Sequence, residues 1–397
     1  MTSGKRSVEE HERYVAELLG TLLSGSTVTV PLSRALHRTL AETITSPLDL
    51  PPFRNSQMDG YAVASSTVSD APVTLPVQGV VAAGDTTGAL ARGSVLKIMT
   101  GAPMPEGADA VVPVEDTAAD EDAGTVTIGR GTRPGEFVRE AGSDVRTGDR
   151  LLSAGTVLAA RHIAVLAAVG LTNIPVRARP RVAVISTGSE LVTAGDVLGP
   201  GHIYNSNGPA LAASASANGA DVVSIDHCHD DPDEFAKMLA YAAGVADVIF
   251  TSGGVSKGDF EVVKDTLEPL GGDFVSVAMQ PGGPQGSAVI DGVPVLTFPG
   301  NPVSALVSFE VFARPVLRAA AGYPPVTAEM LPLATDLTSI PGKRQFLRGA
   351  LDGRTVIPAA GRGSHLVAGL AAADVLLDIP ADTVSLEAGD LVKVLTL

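Results

Sequence analysis

Four short loops carry the side chains of this sequence that could handle a phosphorylated substrate. The run VAVIS ends in Thr187-Gly188-Ser189-Glu190, a loop leaving a strand. Asn205-Ser206-Asn207 stands ahead of Pro209, an N-cap and N1 pairing for a helix start. The stretch DVIFTSGGVSKGDFEVVKD, residues 247–265, reads as a strand, a glycine loop and a helix start. In it Ser252, Gly253, Gly254, Ser256 and Lys257 would offer backbone N–H groups, a positive dipole end and a cation to a phosphate. The fourth loop, Pro299-Gly300-Asn301-Pro302, holds a sharp turn between two prolines, with Ser304 early in the next helix. A main chain fixed in that way can turn its N–H groups to an oxyanion, and it is equally a rigid strand-to-helix connector. Each of the first three also fits a turn plus a cap. Together on one domain they point to a phosphate or pyrophosphate pocket, although none has the spacing of a Walker A loop or a dinucleotide fingerprint.

Acidic side chains stand beside these loops. Glu190, Asp230, Asp231 and Glu261 all lie near strand ends, and hard oxygen ligands beside a phosphate are what Mg²⁺ takes. Asp230-Asp231-Pro232 is equally a helix N-cap, and both readings stay open. His227-Cys228-His229 has no partners at zinc spacing, the seven histidines assemble no Ser/His/Asp triad, and Cys228 reads as a small apolar filler.

The elements that must position these loops follow from periodicity. Ser7 and Glu10 form a capping box, and Val15, Leu18, Leu19, Leu22 and Leu23 share one face of the helix that follows. Residues 47–61 are proline-rich and turn-heavy, and residues 72–128 read as short β runs with an acidic solvated loop at 116–123. A helical pattern over 158–170 has Gly170 as its stop, and 177–181 (RARPR) reads as a linker. Strands and helices then alternate: VAVIS, a helix from about Pro209, DVVSI, a helix from about Pro232, DVIFT, a helix from Asp259, FVSVAM, PVLTF and a helix from Pro302. That is an α/β sheet layered by helices, with its ligand site expected at the strand-end loops. Residues 327–397 return to β, as a small barrel or sandwich.

Composition sets outer bounds. The chain has 397 residues, 45% apolar and 18% charged, so it is globular and long enough for several cores. A net charge of −16 repels nucleic acid and anionic membrane, so an anion site must win by local geometry. With no tryptophan and 4% aromatics, a stacking platform for bases or sugars is not expected. The single cysteine excludes an internal disulfide framework. The first ten residues lack an apolar signal core, and the most apolar stretch, 163–171, is too short to span a bilayer. Neither nucleic-acid partners nor membrane insertion is expected, and the expected location is cytoplasmic.

Seven motifs taken in order carry a resemblance: SQMDGYAV, IMTGAPMPEGADAVVPVE, REAGSDVRTGD, VISTGSEL, TSGGVSKGD, MQPGGPQG and FPGNPVSAL. From about Arg6 to the C-terminus the chain resembles the molybdopterin molybdenumtransferase family, which includes bacterial MoeA and the C-terminal domain of gephyrin. The resemblance implies an elongated homodimer of four-domain subunits. These would be a discontinuous domain I (1–46 and 147–178), a β-rich domain II (47–146), a three-layer α/β/α molybdopterin-binding domain III (179–326) and a β-barrel domain IV (327–397). It further implies a Mg²⁺-dependent reaction that takes adenylylated molybdopterin and molybdate, releases AMP and leaves molybdenum on the dithiolene. The molybdopterin-adenylating protein would be a partner. Carried over by motif, Asp59, Thr100 and Asp144 would reach across the dimer, and Glu190, Asp230 and Glu261 would hold the metal or pyrophosphate. Asn205 would serve the substrate, and Pro299, Pro302, Arg348 and Ser364 would shape the molybdate pocket, the planar guanidinium pairing with a dianion.

The departures from the family's pattern cluster. Glu261 replaces the usual Asp, one methylene longer, where placement within about 0.5 Å matters. Ser276, Gln280 and Gly283 stand where the family typically has lysines, with Lys257 and Lys264 as cations that could compensate. These losses keep an alternative in view: a gephyrin-like dimeric scaffold with weakened catalysis, binding a peptide tail of FtsZ or of a membrane protein at cell division. The enzyme is the favoured reading.

Overall fold

The structure is a computed structural model and describes residues 5–255, 261–359 and 361–397. The chain divides into two compact units, one formed by residues 29–175 and the other by residues up to 28 together with 176–397.

The second unit is organised by a seven-stranded sheet. Its strands are β1 (Lys5–Arg6), β2 (Arg181–Thr187), β3 (Asp221–Cys228), β4 (Val248–Ser252), β5 (Asp273–Val277), β6 (Pro284–Ile290) and β7 (Val293–Phe298), in spatial order β1-β5-β6-β7-β4-β2-β3. The neighbours β7, β4, β2 and β3 run parallel, and β6 is antiparallel to both its neighbours. Their continuous apolar runs are the mark of strands covered on both faces. Along β2 the alternation is visible. Val182 and Val184 join one core with Phe250, Leu211 and Val303, while Ala183 and Ile185 join the opposite core with Phe235, Leu239 and Val263. Helices α1 (Val8–Leu18), α2 (Asn207–Ala217) and α5 (Pro302–Ser308) supply the first face, and α3 (Pro232–Val245) and α4 (Val262–Leu267) the second.

The chain then hands one stretch to another sheet. After β5, Met279–Gln280 pairs in parallel with the start of β8 (Arg344–Asp352), which continues into β9 (Val375–Ile379) and β10 (Leu391–Thr396). Ala328–Pro332 closes this sheet against β10, and Thr355–Pro358 hairpins onto β8.

In the unit of residues 29–175, a six-stranded sheet is ordered Ala110–Pro113, Gly60–Val63, Val95–Ile98, Val73–Val81, Thr125–Ile128, Thr117–Asp120. Here the acidic stretch departs from the loop expected of it. Thr117–Asp120 is an edge strand paired in a hairpin with Thr125–Ile128, with its one acid, Asp120, exposed at the sheet's margin. Other boundaries also shift. The capping box at Ser7 and Glu10 forms, but α1 ends at Leu18 and Leu23 is 48% exposed, beyond the buried stripe. The helix expected from Pro209 begins two residues earlier, at Asn207. The helix start expected at Asp259 lies outside the described residues, and α4 is described from Val262. No described helix is long and apolar enough to cross a membrane.

Candidate functional site

Four parallel strands release their loops at the same edge of the sheet, and those loops wall a cavity of about 600 Å³. Its lining includes Thr187, Gly188 and Glu190 after β2, Asp230 after β3, Gly253 and Gly254 after β4, and residues 299–302 after β7. Asn205, Asn207 and Glu261 join them. The four loops read from the sequence are therefore brought together.

Two of these walls are locked reciprocally. The Ser189 N–H donates to Asp230 Oδ2 at 2.9 Å, and the Asp230 N–H donates to Ser189 Oγ at 3.0 Å. This resolves the Asp-Asp ambiguity. Asp231 is the N-cap of α3, accepting from the Asp233 and Glu234 N–H groups, and Asp230 turns to the cavity. His227 Nε2, 2.9 Å from Gly188 O, steadies the same loop.

Asn207, read from the sequence only as part of a helix start, joins three more walls. Its buried Nδ2 donates to Ser252 Oγ and to Gly300 O, both at 2.7 Å. Ser252 Oγ in turn donates to Pro299 O at 3.3 Å. The Ser252 hydroxyl is thus a buried strut that ties these loops together. Gly253 has φ +105°, and a Cβ there would fall 2.6 Å from Thr187 O, so only glycine lets these loops approach. Ser256 and Lys257 lie outside the described residues.

Glu190, Asp230 and Glu261 share the cavity, yet among the described residues no three His, Cys, Asp or Glu side chains gather closely enough to cage a metal ion. Glu190 and Asp230 follow separate strands, Glu261 is the N-cap of α4, and Asp230 spends one oxygen on Ser189.

A second cavity, of about 440 Å³, adjoins the first and shares Pro284, Ser304 and His365 with it. It lies where Met279–Gln280 crosses to β8, a crossing pinned by Gln345 Nε2 donating to Gln280 Oε1 at 3.0 Å. Ser276, Gln280 and Gly283 line it, together with Lys343, Arg362, Ser364 and His365, and no carboxylate is among the described lining residues. Arg362 donates to Thr338 O and Oγ1, neutral oxygens, and neither it nor Lys343 makes an ion pair among the described residues. The cations that face the lysine-poor strand thus come from the C-terminal sheet. Lys264, the described one of the two lysines named as compensators, lines neither cavity.

Arg348 is placed otherwise than expected. It is buried, and its guanidinium donates to the carbonyls of Gly361, Gly363 and Leu366. Burial lowers its pKa from the ordinary arginine value. It holds the loop that carries Arg362, Ser364 and His365 and presents no charge to either cavity.

In the unit of residues 29–175, Asp59 Oδ1 accepts from the Thr100 N–H at 2.7 Å and from Thr100 Oγ1 at 2.9 Å, and these bonds lower the Asp59 pKa. Asp144 is exposed, its N–H on Leu50 O. Cys228 is inert: burial, with Glu234 and Asp231 nearby, pushes its thiol up to about 12.

Comparison with known proteins follows the same outline. Residues 6–170 match the family model described as MoeA N-terminal region (domain I and II), 183–319 that described as probable molybdopterin binding domain, and 330–397 that described as MoeA C-terminal region (domain IV). A protein of Mycobacterium tuberculosis (strain ATCC 25618 / H37Rv) named molybdopterin molybdenumtransferase 2 is 46% identical, over 98% of this chain and 99% of its own. A molybdopterin molybdenumtransferase of Staphylococcus aureus (strain COL) is 32% identical, over 100% of this chain and 97% of its own. The solved structure of a molybdopterin biosynthesis moea protein from Pyrococcus horikosii superposes with a TM-score of 0.78 at 34% identity, covering 96% of this chain and 98% of that one. The scaffold alternative finds no support among these relatives.

Proposed function

The chain belongs to the molybdopterin molybdenumtransferase family, and from that premise we propose that it inserts molybdate into adenylylated molybdopterin with release of AMP. The observation that carries this reading is the pair of joined cavities with opposite chemistry. One is lined by Glu190, Asp230 and Glu261 beside glycine loops, the other by Lys343 and Arg362 without a carboxylate among its described lining.

The larger cavity takes the phosphoanhydride. The Gly253 N–H is held by Phe298 O, so the main chain of Gly254 and Gly300 is what would meet its oxygens, with Asn205 and Asn301 beside them. Mg²⁺ fits this donor set only with substrate oxygens as co-ligands, because it commonly takes one or two carboxylates and leaves its other positions to phosphate and water. Glu190, Asp230 and Glu261 would hold it, and it would supply charge neutralisation of the pyrophosphate. Molybdate, as the second substrate, takes the smaller cavity. Lys343 and Arg362 balance its two charges and Ser364 and Ser304 donate, while Pro299 and Pro302 line the adjoining larger cavity. Arg348 acts on that cavity by holding its loop. His365, common to both cavities, lies where the two substrates meet.

In a homodimer, Asp59, Thr100 and Asp144 would come from the partner copy, the Thr100 bonds keeping Asp59 ionised and its outer oxygen open to ligand. The test is AMP release from adenylylated molybdopterin with Mg²⁺, with and without molybdate. Release that rises with molybdate supports the reading, and release indifferent to molybdate overturns it.

A further inference from the structure

Within that proposed substrate cavity, one part of the lining has chemistry that neither phosphate nor molybdate calls for. Leu191–Val192 and Ile203–Tyr204 form a two-stranded parallel ribbon, and Leu191, Ile203 and Tyr204 line the cavity beside Glu190. Ile203 is 55% exposed and Tyr204 45%, so an apolar and aromatic rim stands open to water beside loops suited to anions. A rim of that kind gains when a flat apolar face covers it.

The ribbon also holds its ring in place. The Ile203 N–H donates to Glu190 O at 2.9 Å and the Asn205 N–H to Val192 O at 2.8 Å, fixing the main chain on both sides of Tyr204. The Tyr204 hydroxyl donates to Asp196 O at 3.0 Å, which fixes the ring itself. A ring tethered at both ends has little freedom left to lose, so a planar partner can stack on it at small entropic cost. Tyr204 and His365 are the only aromatic rings among the described lining residues of the larger cavity, and His365 lies on the side shared with the cation-lined cavity.

We propose that Tyr204, with Ile203 and Leu191, forms the subsite that stacks on a planar nitrogen heterocycle of the substrate, either its adenine or its pterin. This revises the expectation drawn from composition: 4% aromatics is an average over the chain, and a single well-held ring suffices for a single base. The proposal rests on the larger cavity taking the adenylylated pterin substrate. It concerns binding and not turnover, so it can fail or hold independently of molybdate-dependent AMP release.

The test uses the purified full chain with three probes, AMP, 6-carboxypterin and inorganic pyrophosphate, titrated by calorimetry against wild type, Y204A and Y204F. Thermal unfolding of each variant checks that the fold is intact. The expected result is that Y204A weakens AMP or 6-carboxypterin by about tenfold, while Y204F, which keeps the ring and loses its tether, weakens the same probe by about twofold. Pyrophosphate should bind all three proteins alike. Whichever heterocycle loses affinity is the one that stacks. Unchanged affinity of Y204A for both heterocycles overturns the proposal, as does failure of wild type to bind either one. A parallel loss of pyrophosphate binding also overturns it, since that marks general distortion of the cavity.

Discussion

The two cavities differ in how their charge is built. The larger draws mainly on loops that follow parallel strands of one sheet; Glu190 and Asp230 stand within three residues of their strand ends, and Glu261 is the N-cap of α4. The smaller is assembled from two sheets: a neutral strand crossing from β5 and cations approaching from the start of β8 and the 361–366 loop. In a chain of net charge −16, a cavity without described carboxylates is a local inversion of the protein's own field. The difference teaches that neutral residues at 276, 280 and 283 need not leave the site without positive charge, because the charge can enter from another wall.

The most direct way to break this comparison is to remove the cations. Replacing Lys343 and Arg362 together with Ala should raise the molybdate concentration for half-maximal AMP release by on the order of 100-fold or more, since each charge-assisted bond contributes about 1.5–3 kcal/mol. Pyrophosphate affinity should move by less than about twofold in that variant. Equal losses for both ligands would sink the division of labour.

Comparisons of this kind must be made away from acid pH, for a reason lying outside both cavities. His11 is buried against Phe312, and burial, with the nearby Arg6 charge, lowers its pKa from 6.5 to about 4. Between those values the unfolded chain binds the proton and the folded one does not, so stability is full above pH 6.5 and falls as pH drops toward 4. The loss amounts to about 3 kcal/mol. Urea unfolding of wild type and His11→Leu across that window checks it, and an equally steep pH dependence in the variant would assign the loss elsewhere.

Asn207→Ala probes the walls of the larger cavity alone. Losing two buried hydrogen bonds should cost about 2 kcal/mol, seen as a lower urea midpoint. Pyrophosphate affinity should fall with it while the molybdate requirement holds. Glu190→Gln should raise the Mg²⁺ concentration for half-maximal rate by about tenfold and leave molybdate untouched. A shift in molybdate instead would merge the two cavities into one site. The smallest effect is expected from Gln280→Lys. It adds a cation and breaks the bond to Gln345, so molybdate affinity should improve by only about fivefold. No change would mean that Lys343 and Arg362 already saturate the anion.

What the sequence made legible follows from how local each signal is. The runs of β2 and β4, the cap at Ser7 and the loops at 187–190 and 299–302 are set by residues adjacent in the chain, and they fold where their patterns point. The pairing of Met279–Gln280 with Arg344–Gln345 is a register between distant segments, so the approach of Lys343 to Gln280 could not be read from either one. Arg348 illustrates a second limit. Its residue type fits an anion, but the direction of a guanidinium depends on which carbonyls surround it. Asn207 stood inside one of the loops read from the sequence and was passed over because an asparagine near a helix start reads first as a cap, whereas here Asn205 accepts a first-turn N–H and Asn207 reaches across to two other loops.

That asparagine has a consequence for how the protein ages. Asn207 is followed by Gly208, and an Asn-Gly pair is chemically prone to cyclise through the glycine nitrogen and deamidate. Here the Gly208 N–H is donated to Asn205 Oδ1 at 3.1 Å, and the Asn207 amide is held by Ser252 and Gly300. The contacts that join the walls of the larger cavity therefore also guard its strut against spontaneous chemical damage, and a preparation stored partly unfolded would lose that protection.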